Sequence, residues 1–488
     1  MSVITSAVAP VLDTRLGERV LRAGVGLLYH DCARGAALGA ARLLTEAFVH
    51  AGRRHGTAPR IDRERELFAK AVLATTDRMA ARRAASRHFM ETSGLLWARA
   101  LAGADRAGAR RRFERVHGFE PPWVLVVAPT GACNLRCPGC YSGESGGGSM
   151  AFDELDRLVA EARRLWGIKV LVFSGGEPML YGSDSKRILD LVARHQDLLC
   201  LVFTNGTMID RDSARRYASL GNVTVALSIE GLAETTDARR GPGSFEEVCR
   251  AADMLTDAGA IFGVSMTATS RNCEELLSDE LLDRFFADRP AFYGFIFQYM
   301  PEGRGPDPSL MPTPAQRLWI WERTWEVIES RRIMLIDFWN HGTLVGGCAA
   351  AGRERGYLYV DWDGNVLPCV FAPYSDVSIR DVWDRGGTLS DAWASPFLSE
   401  IRGWQRRHVS GGGPGECGEV GGRMLRTCPV RDHYPEFRDM VLRTGARPVG
   451  ESAGSCLSSP SFASSMADYG RDFAALSRPL LDEEYHSG

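Results

Sequence analysis

A chain of 488 residues with 45% hydrophobic and 24% charged side chains has the composition of a folded globular protein, long enough for two or three structural units. The formal net charge of −3 gives no reason to expect a nucleic-acid partner, and no run approaches the roughly 18 uncharged apolar residues that a spanning helix needs. The opening segment, MSVITSAVAPVLDTRLGERV, lacks a basic region followed by a sustained apolar one, so no secretory signal is read and a cytoplasmic location is expected.

In chain order, residues 15–117 repeat their apolar side chains at helical spacing and contain no strand pattern, which predicts an all-helical domain over residues 1–120. GRRHGTAP (52–59) breaks it in two, and HGFEPP (117–122) ends it, because proline stops a helix and disfavours helical backbone just before it. This region holds 21 Arg or Lys against 12 Asp or Glu, so +9 precedes −12 in the remainder. Such a face can meet an anionic substrate, lipid surface or partner; a solvated face is the simpler reading.

From 121 to 305 short apolar runs alternate with helix-like segments: VLVVAPT (124–130), KVLVFSG (169–175), LCLVFTNG (199–206), NVTVALSIEG (222–231), FGVSMTAT (262–269) and YGFIFQYM (293–300). Strands alternating with helices imply parallel pairing through right-handed crossovers, hence an open sheet or a barrel with its chemistry at the carboxyl ends of the strands. A turn-rich linker, PEGRGPDPSLMPTP, then leads to a helix over 314–331 and a third unit over 306–445. Within it GYLYVDWDGNVLPCV (356–370) reads as a hairpin turning on Asp363-Gly364. The glycine-rich stretch 411–422 reads as a loop, and 446–488 as a Ser-rich tail.

Twelve cysteines in a reducing compartment are free thiols or metal ligands rather than disulfides. Cys32, Cys200, Cys249 and Cys273 stand alone in apolar patterns and are expected in the core. Cys133, Cys137 and Cys140 instead form C-x3-C-x2-C directly after the first strand, with Gly131, Pro138 and Gly139 among them. Close thiolates on a short loop suit an iron–sulfur cluster, and three ligands for four irons leave one iron open to an exchangeable ligand. A structural zinc site would show four close ligands, and a fourth is missing locally.

CNLRCPGC resembles the signature of the radical S-adenosylmethionine superfamily, and SGGEP (174–178) resembles its GGEP motif. The resemblance implies an α/β fold: a partial (β/α)6 barrel preceded by the helical region and followed by a SPASM- or twitch-like extension. It implies a site-differentiated [4Fe-4S] cluster on Cys133, Cys137 and Cys140. It also implies S-adenosylmethionine held by Gly175, Gly176, Glu177 and Pro178, with the glycine carbonyls and the Glu177 charge near the methionyl ammonium. TNGT (204–207) and SIEG (228–231) resemble the ribose- and carboxylate-contacting segments, which brings in Asn205, Ser228 and Glu230. In TTDARRGPGSF, Asp237 and Arg240 match an HD-x-x-RG run in which Thr236 replaces the usual His. Arg240 is a cofactor candidate or a surface helix start. Gln298 and Tyr299 face cofactor or substrate, or cap the strand.

Gly347-Cys348, then Gly364 and Cys369, look like the opening of the SPASM extension, which binds an auxiliary [4Fe-4S] cluster; Cys428 is the third candidate ligand. Cys417 is the fourth ligand, a catalytic hydrogen-atom donor or a loop thiol, with Asp432 and His433 as alternative ligands. A zinc site on the four cysteines is the competing reading.

The family chemistry is reductive cleavage of S-adenosylmethionine to a 5′-deoxyadenosyl radical that abstracts hydrogen from substrate, with electrons from a partner such as flavodoxin or ferredoxin. The main expectation is oxidation or epimerisation of a small molecule, a sugar or natural-product intermediate. The alternative is a maturase modifying a ribosomal peptide or protein side chain. The GGEP segment argues against a mere electron carrier, and no cobalamin-type domain is visible.

Overall fold

The structure is a computed structural model that describes residues 14–51, 58–102, 104–143, 147–350, 356–410 and 425–485. The six expected strands form β1 (Val124–Val127), β2 (Val170–Phe173), β3 (Leu199–Thr204), β4 (Val223–Ile229), β5 (Phe262–Ala268) and β6 (Gly294–Gln298). Neighbours in this series pair in parallel, each return being made through a helical crossover.

The expected division at 305 does not coincide with the end of this sheet. β7 (Leu335–Asp337) pairs in parallel with β6, and β8 (Tyr357–Val360) pairs in parallel with β1. β9 (Val366–Leu367) returns antiparallel to β8, giving the order β7-β6-β5-β4-β3-β2-β1-β8-β9 among the described residues. The hairpin on Asp363-Gly364 therefore exists, but its first strand extends the large parallel sheet. All four β8 residues are buried, so the apolar run YLYV finds cover only beside β1.

The register separates two faces. Val225, Leu227, Val264, Met266 and Ile296 are buried beneath the helices, whereas Phe203, Ser228, Ser265, Thr267, Phe295 and Phe297 on the other face are only half-buried. This inner face of the partial barrel carries no charged side chain on any strand from β1 to β8. Three of its rings touch: Phe203 to Phe295 at 5.6 Å, Phe203 to Phe297 at 5.5 Å and Phe295 to Phe297 at 5.9 Å between centroids.

The amino-terminal helices Arg15–Leu27, Asp31–Ala51, Pro59–Ala81, Arg87–Ala102 and Ala104–His117 precede the sheet. They dock on its helical layer: the Ser86 amide donates to Gly259 O at 2.8 Å, and His88 Nε2 lies 3.0 Å from Ser219 O. The segment expected as a tail is instead two helices, Glu451–Ser458 and Pro460–Glu484. Ser459 caps the second, accepting from the Phe462 amide at 3.2 Å, and Pro460 occupies its first turn. Small residues let it pack closely: a Cβ on Gly470 would lie 2.5 Å from Asp432 O. The helix Pro59–Ala81 and the residue after Pro460–Glu484 meet on Glu64, which is fully buried; Tyr485 Oη donates to its Oε1 at 2.5 Å and Arg60 Nε pairs with the same oxygen at 3.1 Å.

Candidate active site

The cysteine loop leaves β1 at Thr130 and lies across the turn after β2. Gly176 packs so tightly under it that a Cβ there would sit 2.2 Å from Ala132 O. Gly175 has φ +110°, and its Cβ would sit 2.7 Å from that of Ala128. The Gly176 amide donates to Thr130 O at 3.1 Å and the Glu177 amide to Ala132 O at 2.7 Å. In this structure the two glycines thus serve the approach of two backbones.

Glu177 is 1% exposed, and its carboxylate is engaged by the protein itself. Oε1 accepts from the Met179 amide at 3.0 Å and Thr204 Oγ1 at 2.8 Å, and Oε2 accepts from the Asn205 amide at 2.8 Å. Burial pushes its pKa up, while these donors pull it down. Pro178 starts a single 3-10 turn behind it. Asn205 Nδ2 donates to Asn134 Oδ1 at 2.9 Å, and Asn134 Nδ2 donates to Thr207 Oγ1 at 2.8 Å. TNGT is thereby tied to the loop that carries the cysteines.

Glu230, fully buried, pairs with two arginines: Arg240 Nη2 at 2.6 Å and Arg239 Nη1 at 2.7 Å. Arg239 also donates to Pro138 O at 3.2 Å and Gly139 O at 3.3 Å, so Glu230 braces the cysteine loop through it. Thr236 Oγ1 accepts from the Glu230 amide at 3.1 Å and donates to Gly231 O at 2.9 Å, a turn-holding role that needs no imidazole. Asp237 accepts from the amides of Gly243 and Phe245, anchoring the start of the helix Ser244–Ala258. Ser228 stands half-buried on the inner face, paired in register with Ser265.

Gln298 does not join this group. It continues the buried face of β6, and its Nε2 donates to both carboxylate oxygens of Asp337 at 3.2 and 3.0 Å. Alternation along the strand sends it away from the face bearing Phe297. Tyr299 packs against the cysteine loop, where a Cβ on Gly139 would lie 2.7 Å from its ring.

Two further braces were not anticipated. Arg304, in the segment read as a linker, donates to Cys137 O at 3.2 Å and Gly143 O at 2.7 Å. Beside it a Cβ on Gly303 would lie 2.2 Å from Cys140 O. The other is Arg239, whose signal was the doubled arginine of DARRG.

Cys133 is exposed, and Cys137 and Cys140 are half-buried. Burial raises the pKa of Cys133 and Cys137; Glu177 and the neighbouring thiols add to this at Cys133, and Arg240 opposes it at Cys137. The Leu135 amide donates to Cys133 Sγ at 3.4 Å. The accessory thiols repeat this arrangement. Ala350 N lies 3.4 Å from Cys348 Sγ, and Phe371 N lies 3.4 Å from Cys369 Sγ, each two residues beyond its cysteine. Burial pushes Cys369 and Cys428 up to about 12, with Cys428 adding to the first and Cys348 to the second.

Among the described residues no three His, Cys, Asp or Glu side chains are grouped as the ligands of a single metal ion. Neighbouring thiols instead help raise the pKa of Cys133, Cys137, Cys369 and Cys428, and amides donate to the sulfurs of Cys133, Cys348 and Cys369, a donor set that fits a thiolate-held cluster. Cys417 lies outside the described residues. Of the alternative fourth ligands, Asp432 is taken by the buried Arg317, whose Nη1 lies 2.5 Å from its Oδ1. His433 Nε2 lies 3.0 Å from Arg426 O, and its ring packs on His408 at 4.4 Å. Cys200, Cys249 and Cys273 are buried as expected, whereas Cys32 is exposed on its helix.

Comparison with known proteins shows the family. The radical SAM superfamily model matches residues 127–270, and that of the SPASM iron–sulfur cluster-binding domain matches residues 348–418. Mycofactocin maturase MftC of Mycobacterium ulcerans (strain Agy99) is 30% identical over 315 residues, covering 62% of this chain and 82% of that protein. MftC of Mycobacterium tuberculosis (strain CDC 1551 / Oshkosh) is 31% identical over 323 residues, 63% and 78% of the two chains. An AdoMet-dependent heme synthase of Nitratidesulfovibrio vulgaris is 34% identical over 156 residues, 30% of this chain and 41% of that one. The structure of Streptococcus suis SuiB bound to S-adenosylmethionine superposes with a TM-score of 0.54 at 16% identity, over 76% of this chain and 90% of that one, and so shares the fold. The chain belongs to the radical S-adenosylmethionine superfamily, in the group with a SPASM domain, and is an enzyme of S-adenosylmethionine and [4Fe-4S] clusters.

Proposed function

We propose that this enzyme is a maturase that modifies a side chain of a ribosomally made precursor peptide. The observation that carries this is the similarity to mycofactocin maturases over about four fifths of their length. It reverses the order of the two readings drawn from sequence, in which a sugar or other small molecule came first. The inner face supports it. Its strands carry no charge, and the touching rings of Phe203, Phe295 and Phe297 form an apolar wall suited to a peptide side chain.

In this reading Cys133, Cys137 and Cys140 hold the catalytic cluster, and the segments at Glu177, Asn205 and Glu230 seat S-adenosylmethionine. When bound, these groups supply the one-electron chemistry that begins hydrogen abstraction, with electrons from a donor such as flavodoxin or ferredoxin. The chain's own work is placement and protection. Glu177 locks the turns after β2 and β3 together, the Glu230–Arg239 pair and Arg304 fix the cysteine loop, and the Phe203, Phe295 and Phe297 cluster excludes water beside the reacting side chain. Cys348, Cys369 and Cys428 hold the auxiliary cluster.

The test is incubation of the reconstituted, reduced full chain with short peptides encoded beside its gene, and separately with sugars. Peptide-dependent release of 5′-deoxyadenosine with a changed peptide mass is expected. Turnover of a sugar with no peptide modified would defeat the reading.

A further inference from the structure

We propose that Tyr357 is a positioning residue of the accessory site: its hydroxyl donates to the Cys369 thiolate and raises the reduction potential of the auxiliary cluster. This goes beyond the proposed function and rests on the contacts around the thiols.

Tyr357 opens β8, is 7% exposed, and its Oη lies 2.8 Å from Cys369 Sγ. Three features place it there. β8 adds to the edge of β1, putting Tyr357 in register with Val124. The Tyr357 amide donates to Ala349 O at 2.7 Å, which sets the strand against the residue that follows Cys348. The β8–β9 hairpin then brings Cys369 back to the start of the same strand. The start of β8 is therefore tied to the segments of two accessory cysteines, with the hydroxyl on the sulfur of Cys369.

Between free groups either atom could donate. A cysteine bound to iron has lost its proton, so the phenol must donate. Reduction of a cluster adds negative charge that is shared with its sulfur ligands, and a donor on one sulfur stabilises the reduced state more than the oxidised one. The cysteine loop has no matching hydroxyl in its described contacts: Tyr141, next to Cys140, places its Oη on Ser174 Oγ. The effect thus belongs to one cluster of the two.

The experiment is a redox titration of the reconstituted full chain followed by electron paramagnetic resonance, with the two couples told apart in a Cys133→Ala background. Tyr357→Phe should keep the iron content and shift the auxiliary couple negative, changing its reduced fraction several-fold at fixed potential. The couple of the Cys133, Cys137 and Cys140 cluster should stay in place. Replacing Tyr357 by 3-fluorotyrosine, nearly isosteric and a stronger donor, should shift the auxiliary couple the opposite way. Full iron with no shift in either variant overturns the proposal, as does an equal shift of both couples. If the Phe variant loses iron, the sign of the fluorotyrosine shift decides. Wild-type protein holding only one cluster would instead show that the accessory site itself is absent.

Discussion

Glu177 was expected to act only on cofactor, and its surroundings change what its removal should do. Three donors converge on a carboxylate that is almost fully buried, and alanine leaves two amides and a hydroxyl without acceptors. The cost is on the order of 3 kcal/mol after the burial penalty of the lost charge is subtracted. Glu177→Ala should therefore lower the melting temperature as well as S-adenosylmethionine affinity; weaker binding at unchanged stability would show that the carboxylate serves the ligand alone. His408 offers a pH test. Burial and the neighbouring His433 hold it down to about 4, below the 6.5 of an unhindered imidazole. The unfolded chain then takes up a proton that the folded chain refuses. Stability is full above about pH 6.5 and falls as the pH drops through 6.5 towards 4. Chemical denaturation at pH 7 and pH 5 should show a smaller loss for His408→Gln than for wild type, and equal losses would remove His408 from the account. Motif residues were legible because their chemistry is short-range: Cys133, Cys137, Cys140 and the GGEP turn are each set within a few residues. Arg239 and Arg304 were not, since each braces the cysteine loop from more than a hundred residues away.

The strands carry the same lesson at the level of elements. β1 to β6 stood out as apolar runs because both faces of a parallel sheet interior reject charge. β7 has three residues and no pattern of its own, and it exists because β6 offers an open edge. The helix Pro460–Glu484 was hidden by its serines, of which only Ser477 is buried; its close packing is made at Gly470, against Asp432. That helix sets Phe473 3.8 Å from the Arg317 guanidinium, which in turn holds Asp432 and the short helix after Cys428. Ending the chain after Ser458 should uncover this buried ion pair and loosen the accessory thiols. Iron should drop from about eight to about four per chain while the catalytic cluster remains. Retention of all the iron would show that the helix is dispensable to the site.

For the whole molecule the expectation is two four-iron clusters, about eight irons per chain. Ala at Cys133, Cys137 and Cys140 together should remove one cluster's worth and abolish cleavage of S-adenosylmethionine; full iron with continued cleavage would refute the assignment. Among the described residues no helix is long and apolar enough to cross a membrane. The sequence by itself determined the superfamily, the cysteine loop and the six-strand core, because those depend on local spacing and on alternation along single strands. Only the tertiary structure decided that β8 joins the sheet edge and that Gln298 turns to Asp337 rather than to the inner face. It also decided that Glu230 grips the cysteine loop through Arg239 and that Tyr485 reaches Glu64 of the amino-terminal helical region. These are pairings between residues distant along the chain, chosen by which buried charge or open strand edge is left to satisfy once the local elements have formed.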